Sequence, residues 1–273
     1  MCQVMNVSRS GYYKWRQTPA SEQKKRKANV CRRIAYLFQD AKKRYGSPKI
    51  TQLLRKEGFR ISERTVSNYM KELGLRSCVS RKFKVQTTDS RHDLPIAPNV
   101  LEQRFDMAEP NQAWAADITY IPCREGRMYL ASVMDLCTRE IVGWSLKDRM
   151  TTDLVLEALE SAYQAKKPAE GLLHHSDRGS QYASHVYRDK LEALGMKASM
   201  CRKGNCYDNA SMESWHSILK KELIYCTKFK TKKEAYEAIF QYIEIFYNRK
   251  RIHSSIGYMS PVQFAARFKK KAA

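Results

Sequence analysis

Three consecutive segments rich in β-branched and aromatic residues constrain the fold of this chain more than any other feature. They are AWAADITYIP (113–122), RMYLASVMD (127–135) and REIVGWSL (139–146), with short polar turns between them. Such a series predicts a three-stranded antiparallel meander. Four further segments follow in alternation: a helix over 151–166, a strand that ends at Asp177, a helix near 184–194 and a strand over 197–201. This order predicts an α/β sheet with helices packed against its faces.

The helices of this region have recognisable apolar stripes and ends. In the first of them Leu154, Ala158, Leu159 and Ala162 repeat at helical spacing, and Thr152 is a candidate N-cap. Gly195 is a candidate stop for the second. These signals predict helices that each bury one side against the sheet.

Three acidic residues occupy positions that are unusual for charges. Asp117 lies inside the first strand, Asp177 ends the fourth, and Glu213 opens a helix that follows KGNCYDNA. Taken singly, each acid is more often a helix cap or a member of a surface ion pair. If the first and fourth strands are neighbours, however, Asp117 and Asp177 converge, and gathered carboxylates repel one another unless a cation lies among them. Hard divalent ions in phosphoryl-transfer sites are held by such groups.

The helix that carries Glu213 separates apolar from polar residues. Met212, Trp215, Leu219 and Leu223 form its apolar stripe, while Glu213, Ser217 and Lys220 lie on the adjoining polar face. The pattern therefore places Glu213 and Lys220 on one face of the helix.

The positive charge of the chain is concentrated at its two ends. The net charge is +22 overall, made up of +17 in residues 1–92, −4 in residues 93–218 and +9 in residues 219–273. A basic front, an acidic middle and a basic tail indicate nucleic-acid-binding segments around a centre that uses carboxylates. A basic surface that only keeps the protein in solution is the alternative, and for the single run Lys24–Lys27 it is the more common one.

The basic front has the pattern of a helix-turn-helix. Ile50, Leu53 and Leu54 predict one helix, Gly58 interrupts it, and a second helix follows with Ser62 as N-cap and Gly74 as stop. The apolar positions of the second helix are Val66, Tyr69, Met70 and Leu73. An ordinary amphipathic helical hairpin has the same spacing, but the surrounding basic charge favours DNA binding.

The candidate DNA contacts divide into two kinds. Arg64, Asn68 and Lys71 share the polar face of the second helix and Ser67 flanks it, so these side chains are the candidate base readers. Lys24, Lys25 and Lys220 are also assigned to DNA binding, the two front lysines as phosphate contacts without sequence preference.

We divide the chain into five parts. Residues 1–20 resemble the end of another helix-turn-helix, with a helix capped by Ser8 that contains Tyr12, Tyr13 and Trp15. Residues 21–88 are the helical DNA-binding domain, and 89–110, with three prolines and little periodicity, are the linker. Residues 111–265 are the catalytic domain and 266–273 a basic tail. No apolar run approaches a membrane span and the first residues lack a secretory signal, which predicts a cytoplasmic protein associated with the bacterial nucleoid and not with a membrane.

The acids and their surroundings resemble a known family. WAADITYI, HSDRGSQY and KGNCYDNASMESWHSILKKEL, with 35 residues between Asp177 and Glu213, resemble the Asp-Asp-Glu core of transposases and retroviral integrases. VSRSGYYKW, RYGSPKITQLL and YNRKRIHSSIGYMSPVQF extend the resemblance over almost the whole chain, to the second-frame product of insertion-sequence-three family transposases. One departure is Trp215–His216, where relatives often carry two aromatic residues.

This resemblance implies the fold and the activity. It implies a ribonuclease-H-like core with a mixed five-stranded sheet, preceded by an all-α helix-turn-helix region. Asp117, Asp177 and Glu213 are then the catalytic residues and the ligands of two Mg²⁺ ions, which Mn²⁺ can replace. The enzyme hydrolyses one strand at the transposon ends and joins the freed 3′ hydroxyl to target DNA, as at least a dimer. In this family an upstream-frame DNA-binding product is usually fused to the catalytic one.

Two other functions stay open on the residues alone. A ribonuclease-H-like nuclease without strand transfer needs the same acids and metal, but it does not need a basic helical arm. A DNA-binding regulator of transposition explains that arm but not the acids. We interpret His174 and His175 as packing residues or phosphate contacts in preference to metal ligands, because Mg²⁺ prefers oxygen.

Overall fold

The computed structural model describes residues 2–17, 21–80 and 94–271, and the chain divides into two compact units, Met1–Ser80 and Arg81–Ala273. The first unit is helical. Its helices are α1 (Arg9–Gln17), α2 (Glu22–Asp40), α3 (Ser47–Lys56) and α4 (Glu63–Glu72). The core between α2, α3 and α4 is built from one apolar side of each helix, with Ile34, Phe38, Ile50, Leu54, Val66 and Met70 buried.

The ends of the predicted helix-turn-helix are confirmed. Ser62 Oγ accepts a hydrogen bond from the main-chain N–H of Thr65 at 3.1 Å and so caps α4. Gly74 follows the end of α4 with a φ of +66°, a conformation that glycine adopts without strain. The second helix of the pair therefore begins and ends where the sequence signals placed it.

The first helix is exposed at every residue except the half-buried Tyr12. Ser8 Oγ accepts from the main-chain N–H of Gly11 at 3.2 Å, which confirms it as the cap of α1, and α1 buries no residue. Its Tyr12 ring contacts the rings of Tyr13 and Trp15. The end of the predicted 1–20 segment, residues 18–20, lies outside the described residues.

The second unit is an α/β domain built on one sheet. Its strands are β1 (Ala113–Cys123), β2 (Gly126–Asp135), β3 (Ile141–Lys147), β4 (Leu173–Ser176) and β5 (Lys197–Met200). Its helices are α5 (Thr152–Lys166), α6 (Ser180–Ala183), α7 (His185–Ala193), α8 (Ala210–Glu222), α9 (Lys232–Phe240) and α10 (Pro261–Lys271), and a π-helical segment, Gln241–Tyr247, continues α9. The sheet order is β3-β2-β1-β4-β5, with β1, β2 and β3 antiparallel and β4 and β5 parallel to β1. This mixed sheet with helices confirms the ribonuclease-H-like fold.

Alternation along β1 sends its side chains to two cores. Ala113 and Ala115 belong to the core shared with α8 and α9, while Trp114 and Ala116 belong to the core shared with α5, α6 and α7. On the α5 side the packing is tight at Gly143, where an added Cβ would lie 2.3 Å from the carbonyl oxygen of Ala158. By the same alternation Asp117 belongs to the α8 side.

Part of the predicted linker packs on the second unit. Residues 89–93 lie outside the described residues, but Leu101 is buried in the α8-side core. The main-chain N–H groups of Val100 and Leu101 donate to Ser199 Oγ at 3.0 and 3.2 Å. This segment has no periodicity because it is held by single side chains and main-chain bonds, and no helix or strand organises it.

Other element ends differ slightly from expectation. The N-cap of α5 is Thr151 and not Thr152, which is the first helical residue. Strand β4 ends at Ser176, so Asp177 follows the strand directly, and α10 runs through the boundary expected at 265. Over the described ranges, no helix is both long and apolar enough to cross a bilayer.

Candidate active site

Asp117 and Asp177 lie side by side where two parallel strands meet. Strands β1 and β4 pair in parallel up to Ala116 and Ser176, and each aspartate is the next residue of its chain segment. Neighbouring strands are about 4.8 Å apart, so the two carboxylates share one edge of the sheet. The convergence that the sequence predicted on the condition of neighbouring strands is therefore present.

The negative charge of this pair is not neutralised. Burial and, after it, the nearby Asp117 carboxylate together raise the pKa of Asp177 to about 7, against the opposing effect of a hydrogen bond from the main-chain N–H of Gly179. That bond, to Asp177 Oδ1, is 2.9 Å long and fixes the carboxylate in the turn after β4. A protein that places two acids together in this way stores electrostatic repulsion that an added cation would relieve.

Helix α8 is fixed against β1 and β2 beside this pair. Trp215, buried at its inner side, donates from Nε1 to Ser132 Oγ at 3.1 Å, and Ser132 is the residue of β2 that faces Asp117. At the start of α8, Asn209 Nδ2 donates to the carbonyl oxygen of Ala116 at 3.4 Å. These two contacts bring one polar face of α8 over Asp117.

That face carries Asn209, Glu213, His216 and Lys220. Successive members are three or four residues apart in the chain, so they lie in one row along the helix. Burial raises the pKa of Glu213 above its ordinary value and the Asp117 charge raises it further, while His216 opposes the shift. His216 Nδ1 lies 3.4 Å from Asp117 Oδ2. The third predicted acid is therefore electrostatically coupled to the first.

Lys220 supplies the positive end of the same row. Its Nζ lies over the ring of Tyr120, 4.7 Å from the ring centre. Burial lowers the pKa of Lys220, and the Asp117 carboxylate opposes that shift. A partly buried ammonium that feels the charge of Asp117 is suited to meet a phosphate that approaches the acids.

The donor set fits a hard divalent cation. Asp117, Asp177 and Glu213 supply only carboxylate oxygens, the ligands that Mg²⁺ prefers, and the pKa of Asp177 is raised by burial and by the neighbouring charge of Asp117. Within the described parts of the chain, no three His, Cys, Asp or Glu side chains are already gathered closely enough to hold a metal ion.

His174 and His175 have packing roles. His174 Nε2 and the hydroxyl of Tyr187 are 3.1 Å apart, and burial lowers the pKa of His174 to about 3. His175 Nδ1 is 2.9 Å from Ser199 Oγ, and burial lowers its pKa to about 4. Both imidazoles are buried in the sheet next to Asp177. Packing was one of the two roles that the sequence favoured over metal binding.

Sequence reasoning missed an aspartate that fixes the loop before α8. Asp208 is completely buried, and its carboxylate accepts hydrogen bonds from Asn99, Gln103 and Arg202 at 2.8 to 3.0 Å. The hydrogen bond from the Arg202 guanidinium is the largest of the effects that lower the pKa of Asp208. The sequence shows only that an acid lies close to the start of a helix. Such a position is equally typical of a helix cap, so the loop-fixing role of Asp208 could not be predicted.

A second missed group ties the end of α8 to the tail motif. The carboxylate of Glu222, the last residue of α8, accepts from Arg251 Nη2 at 2.8 Å and from the Tyr242 hydroxyl at 2.8 Å. Arg251 and His253 are also buried. The tail motif YNRKRIHSSIGYMSPVQF, residues 247–264, therefore contains an arginine, Arg251, that anchors the helix carrying Glu213.

The predicted DNA-binding side chains of the first unit are accessible. Arg64, Asn68 and Lys71 are exposed on α4, and Ser67 is half-buried beside them. Lys24 and Lys25 are exposed in the first turn of α2, where Lys25 Nζ pairs with Glu22 at 2.8 Å. The structure thus keeps the predicted face of α4 available to a ligand.

Comparisons with known proteins agree with this architecture. Residues 107–206 and 213–267 match two family models described as integrase core domain, and residues 25–83 match an HTH-like domain. The core of HTLV-2 integrase, solved in complex with magnesium, is 17% identical with a TM-score of 0.45, covering 58% of this chain and 98% of that one.

Two relatives in enteric bacteria match along nearly the full chain. An uncharacterized 31 kDa protein of insertion element IS600 from Shigella sonnei is 44% identical over 273 residues, all of both chains. The transposase InsF of insertion sequence IS3A from Escherichia coli K12 is 41% identical over 266 residues, 97% of this chain and 92% of the relative. With its integrase core, its helix-turn-helix-like domain and these relatives, the chain belongs to the insertion-sequence-three (IS3) family of transposases.

Proposed function

We propose that Asp117, Asp177 and Glu213 are the catalytic carboxylates with which this transposase cuts transposon ends and joins them to target DNA. The observation that carries the proposal is the coupling of the three acids: two on adjacent parallel strands and one on the helix face above them, with the pKa of Asp177 and of Glu213 raised by burial and by the Asp117 charge. Acids whose pKa values are perturbed by burial and by one another are typical of catalytic sites.

The three carboxylates would hold two Mg²⁺ ions, or Mn²⁺ in their place. When bound, these ions supply activation of the attacking oxygen and stabilisation of the leaving oxygen in an in-line displacement. Asp117 and Asp177 contribute rigid ligands, because the sheet register and the Gly179 bond fix them. Glu213 contributes a ligand from α8, and Lys220 would contact the DNA backbone.

The two competing functions are less favoured. A relative that shares 97% of this chain is named a transposase, which a nuclease without strand transfer or a regulator would not account for. The chain would act on DNA as at least a dimer, since two transposon ends must be processed together. We also infer fusion to, or association with, an upstream-frame DNA-binding product, and a location at the DNA of the bacterial cytoplasm.

A strand-joining assay with the full chain tests the catalytic assignment. The protein, Mg²⁺ or Mn²⁺, a labelled duplex that carries a transposon end and an unlabelled target are mixed, alone and with the upstream product fused. Joining yields a labelled strand longer than the substrate, and a precut end needs only this second step. Asp117→Ala, Asp177→Ala and Glu213→Ala should each lower both steps about a thousandfold or more, because transition-state stabilisation of several kcal/mol is lost.

DNA binding by these variants should stay near the wild-type level, because the basic first unit is unchanged. Asp189→Ala, which removes an exposed acid from α7, is the matched control and should retain activity. Substantial joining by any of the three variants would contradict the assignment of that residue. Products that are only shortened would favour a nuclease, and the lack of any metal-dependent cleavage would favour a regulator.

We also propose that α4 reads the transposon end while α2 contacts phosphates. Arg64→Ala or Asn68→Ala should weaken binding to the preferred duplex by about 1–3 kcal/mol while binding to random DNA changes little. Lys24→Ala should weaken binding to the preferred and the random duplex equally and should lower the salt dependence of binding. Lys25→Ala should have the same effects but to a smaller extent, because Lys25 already pairs with Glu22. Titrations of both duplexes at several salt concentrations measure these affinities. If each of the four variants loses the same affinity for both duplexes, α4 has only a structural role.

A further inference from the structure

His216 belongs to the polar row on α8, and the proposed catalysis gives it no role. It is only 7% exposed, yet it lies on the face that carries Glu213 and Lys220 and not among the apolar residues of the helix. Its Nδ1 is 3.4 Å from Asp117 Oδ2. A buried imidazole therefore touches one of the three acids.

The imidazole is an unfavourable choice for packing alone. Its Nε2 is buried and has no hydrogen-bond partner. A buried polar atom without a partner destabilises the fold, whereas an apolar ring at the same position would avoid this cost. Trp215 and Leu219 on the same helix are apolar and fully buried. What distinguishes the imidazole from such a residue is its contact with Asp117.

The contact favours one position of the proton on the ring. At 3.4 Å it is longer than an ordinary hydrogen bond, but with the proton on Nδ1 it is attractive, whereas with the proton on Nε2 two lone pairs would face each other. Asp117 Oδ1 accepts a hydrogen bond from the main-chain N–H of Ile118 at 2.8 Å. An N–H group beside the other oxygen opposes rotation of the carboxylate, and outer partners of this kind orient carboxylates that bind metals.

We propose that His216 is a positioning residue, whose Nδ1–H holds Asp117 in the orientation in which it takes up a divalent cation. The proposal rests on the proposed metal-binding function of Asp117. His216 itself is not assigned to the metal, because its free nitrogen is enclosed by protein. It acts through Asp117, which lies between Glu213 on α8 and Asp177 on the turn after β4.

Three substitutions separate positioning from packing. His216→Asn places an amide N–H near the position of Nδ1, His216→Gln places one near the position of Nε2, and His216→Phe keeps the ring without a donor. Mn²⁺ affinity of the full chain is measured by electron paramagnetic resonance without DNA, and melting temperature is measured alongside. His216→Phe and His216→Gln should weaken Mn²⁺ binding about tenfold or more, the effect of losing an outer-shell partner. His216→Asn should stay within about threefold of the wild type.

The outcomes distinguish this proposal from the one on which it rests. If His216→Phe binds Mn²⁺ like the wild type, or if the Asn and Gln variants lose affinity equally, His216 does not position Asp117. Should the Phe variant fail to fold, the comparison of Asn with Gln decides alone. Asp117→Ala is the reference: it should abolish the same Mn²⁺ signal, and if it does not, the metal role of Asp117 itself is refuted.

Discussion

The catalytic unit contains two kinds of buried acid, and they differ in what neutralises them. Asp208 and Glu222 lie before and at the end of α8, and each is bonded to an arginine. Asp177, at the sheet edge beside the same helix, has another carboxylate as its main charged neighbour, and its pKa is raised to about 7. In a chain with a net charge of +22, cations are plentiful, yet among the described residues no lysine or arginine forms an ion pair with Asp177, so its lack of a counter-charge is a property of the arrangement.

The difference separates structural acids from functional ones. Arginine partners at Asp208 and Glu222 fix the loop and the tail around α8 and leave these carboxylates no capacity for a ligand. The acids at the sheet edge keep their oxygens available at the expense of folding stability. Active sites commonly carry such a cost, because groups arranged for a ligand are unfavourable without it.

The largest effect on stability is expected when the buried ion pair between Glu222 and Arg251 is broken. Arg251→Met leaves the Glu222 carboxylate buried without a counter-charge and should lower the free energy of unfolding by about 3–5 kcal/mol. The melting temperature of the catalytic unit should fall by roughly 10 °C. Thermal unfolding followed by tryptophan fluorescence measures this.

A compensating variant tests the cause of that loss. Adding Glu222→Gln to Arg251→Met removes the unpaired charge while an amide oxygen still accepts from Tyr242, so much of the stability should return. If the single variant melts like the wild type, the pair does not anchor α8. If the double variant is as unstable as the single one, packing of Arg251 and not charge is responsible.

The sequence predicted the parts of this comparison that depend on local pattern. Strands β1, β2 and β3 follow the alternation of their residues, Ser62 caps α4 as its residue type indicates, and Asp177 stands directly after β4. The three acids were found because their positions conflict with that pattern: a charge inside a strand or at a strand end is not required by the fold.

The parts that were not predicted depend on contacts between distant residues. Asn99 and Asp208 are 109 residues apart in the chain, and Glu222 and Arg251 are 29 apart. Neither separation has a periodic signal, so an arginine-paired acid and an unpaired one look alike in the sequence. Leu101, in the predicted linker, was missed for the same reason, because a single buried leucine produces no periodicity.

A smaller effect is expected from the buried imidazoles next to Asp177. The pKa of His174 is lowered from 6.5 to about 3, so between these values the unfolded chain binds a proton that the folded one does not. Stability should therefore fall as pH decreases from 6.5 to 5, by up to about 2 kcal/mol for this group. His174→Phe keeps the ring contact with Tyr187 and removes the titration.

The slope of stability against pH, and not its absolute value, is the measurement for His174. Denaturant unfolding at several pH values should give a shallower acid dependence for His174→Phe than for the wild type. The loss of the Tyr187 hydrogen bond lowers stability at every pH and does not change the slope. An unchanged slope would mean that His174 is not kept neutral by burial.

An effect of opposite sign, which defines the acid without a counter-charge, is expected for Asp177→Asn. The folded pKa of Asp177 is about 7 against an ordinary 3.8, so the folded state holds a proton between these values that the unfolded state releases. Ionised Asp177 thus destabilises the fold increasingly from pH 4 to 7. The Asn variant should exceed the wild type by up to about 4 kcal/mol at pH 8 and by nothing near pH 4.

Asp208→Asn is the matched variant for that measurement and should behave in the opposite way. The pKa of Asp208 is lowered by Arg202, so its carboxylate stabilises the fold at neutral pH and the Asn variant should be less stable there. Millimolar Mg²⁺ should raise the stability of the wild type but not of Asp177→Asn, because only the folded wild type offers the carboxylates to the ion. Equal destabilisation of both variants at pH 8 would mean that the two acids do not differ in kind, and the charge at the sheet edge would then need no cation to offset it.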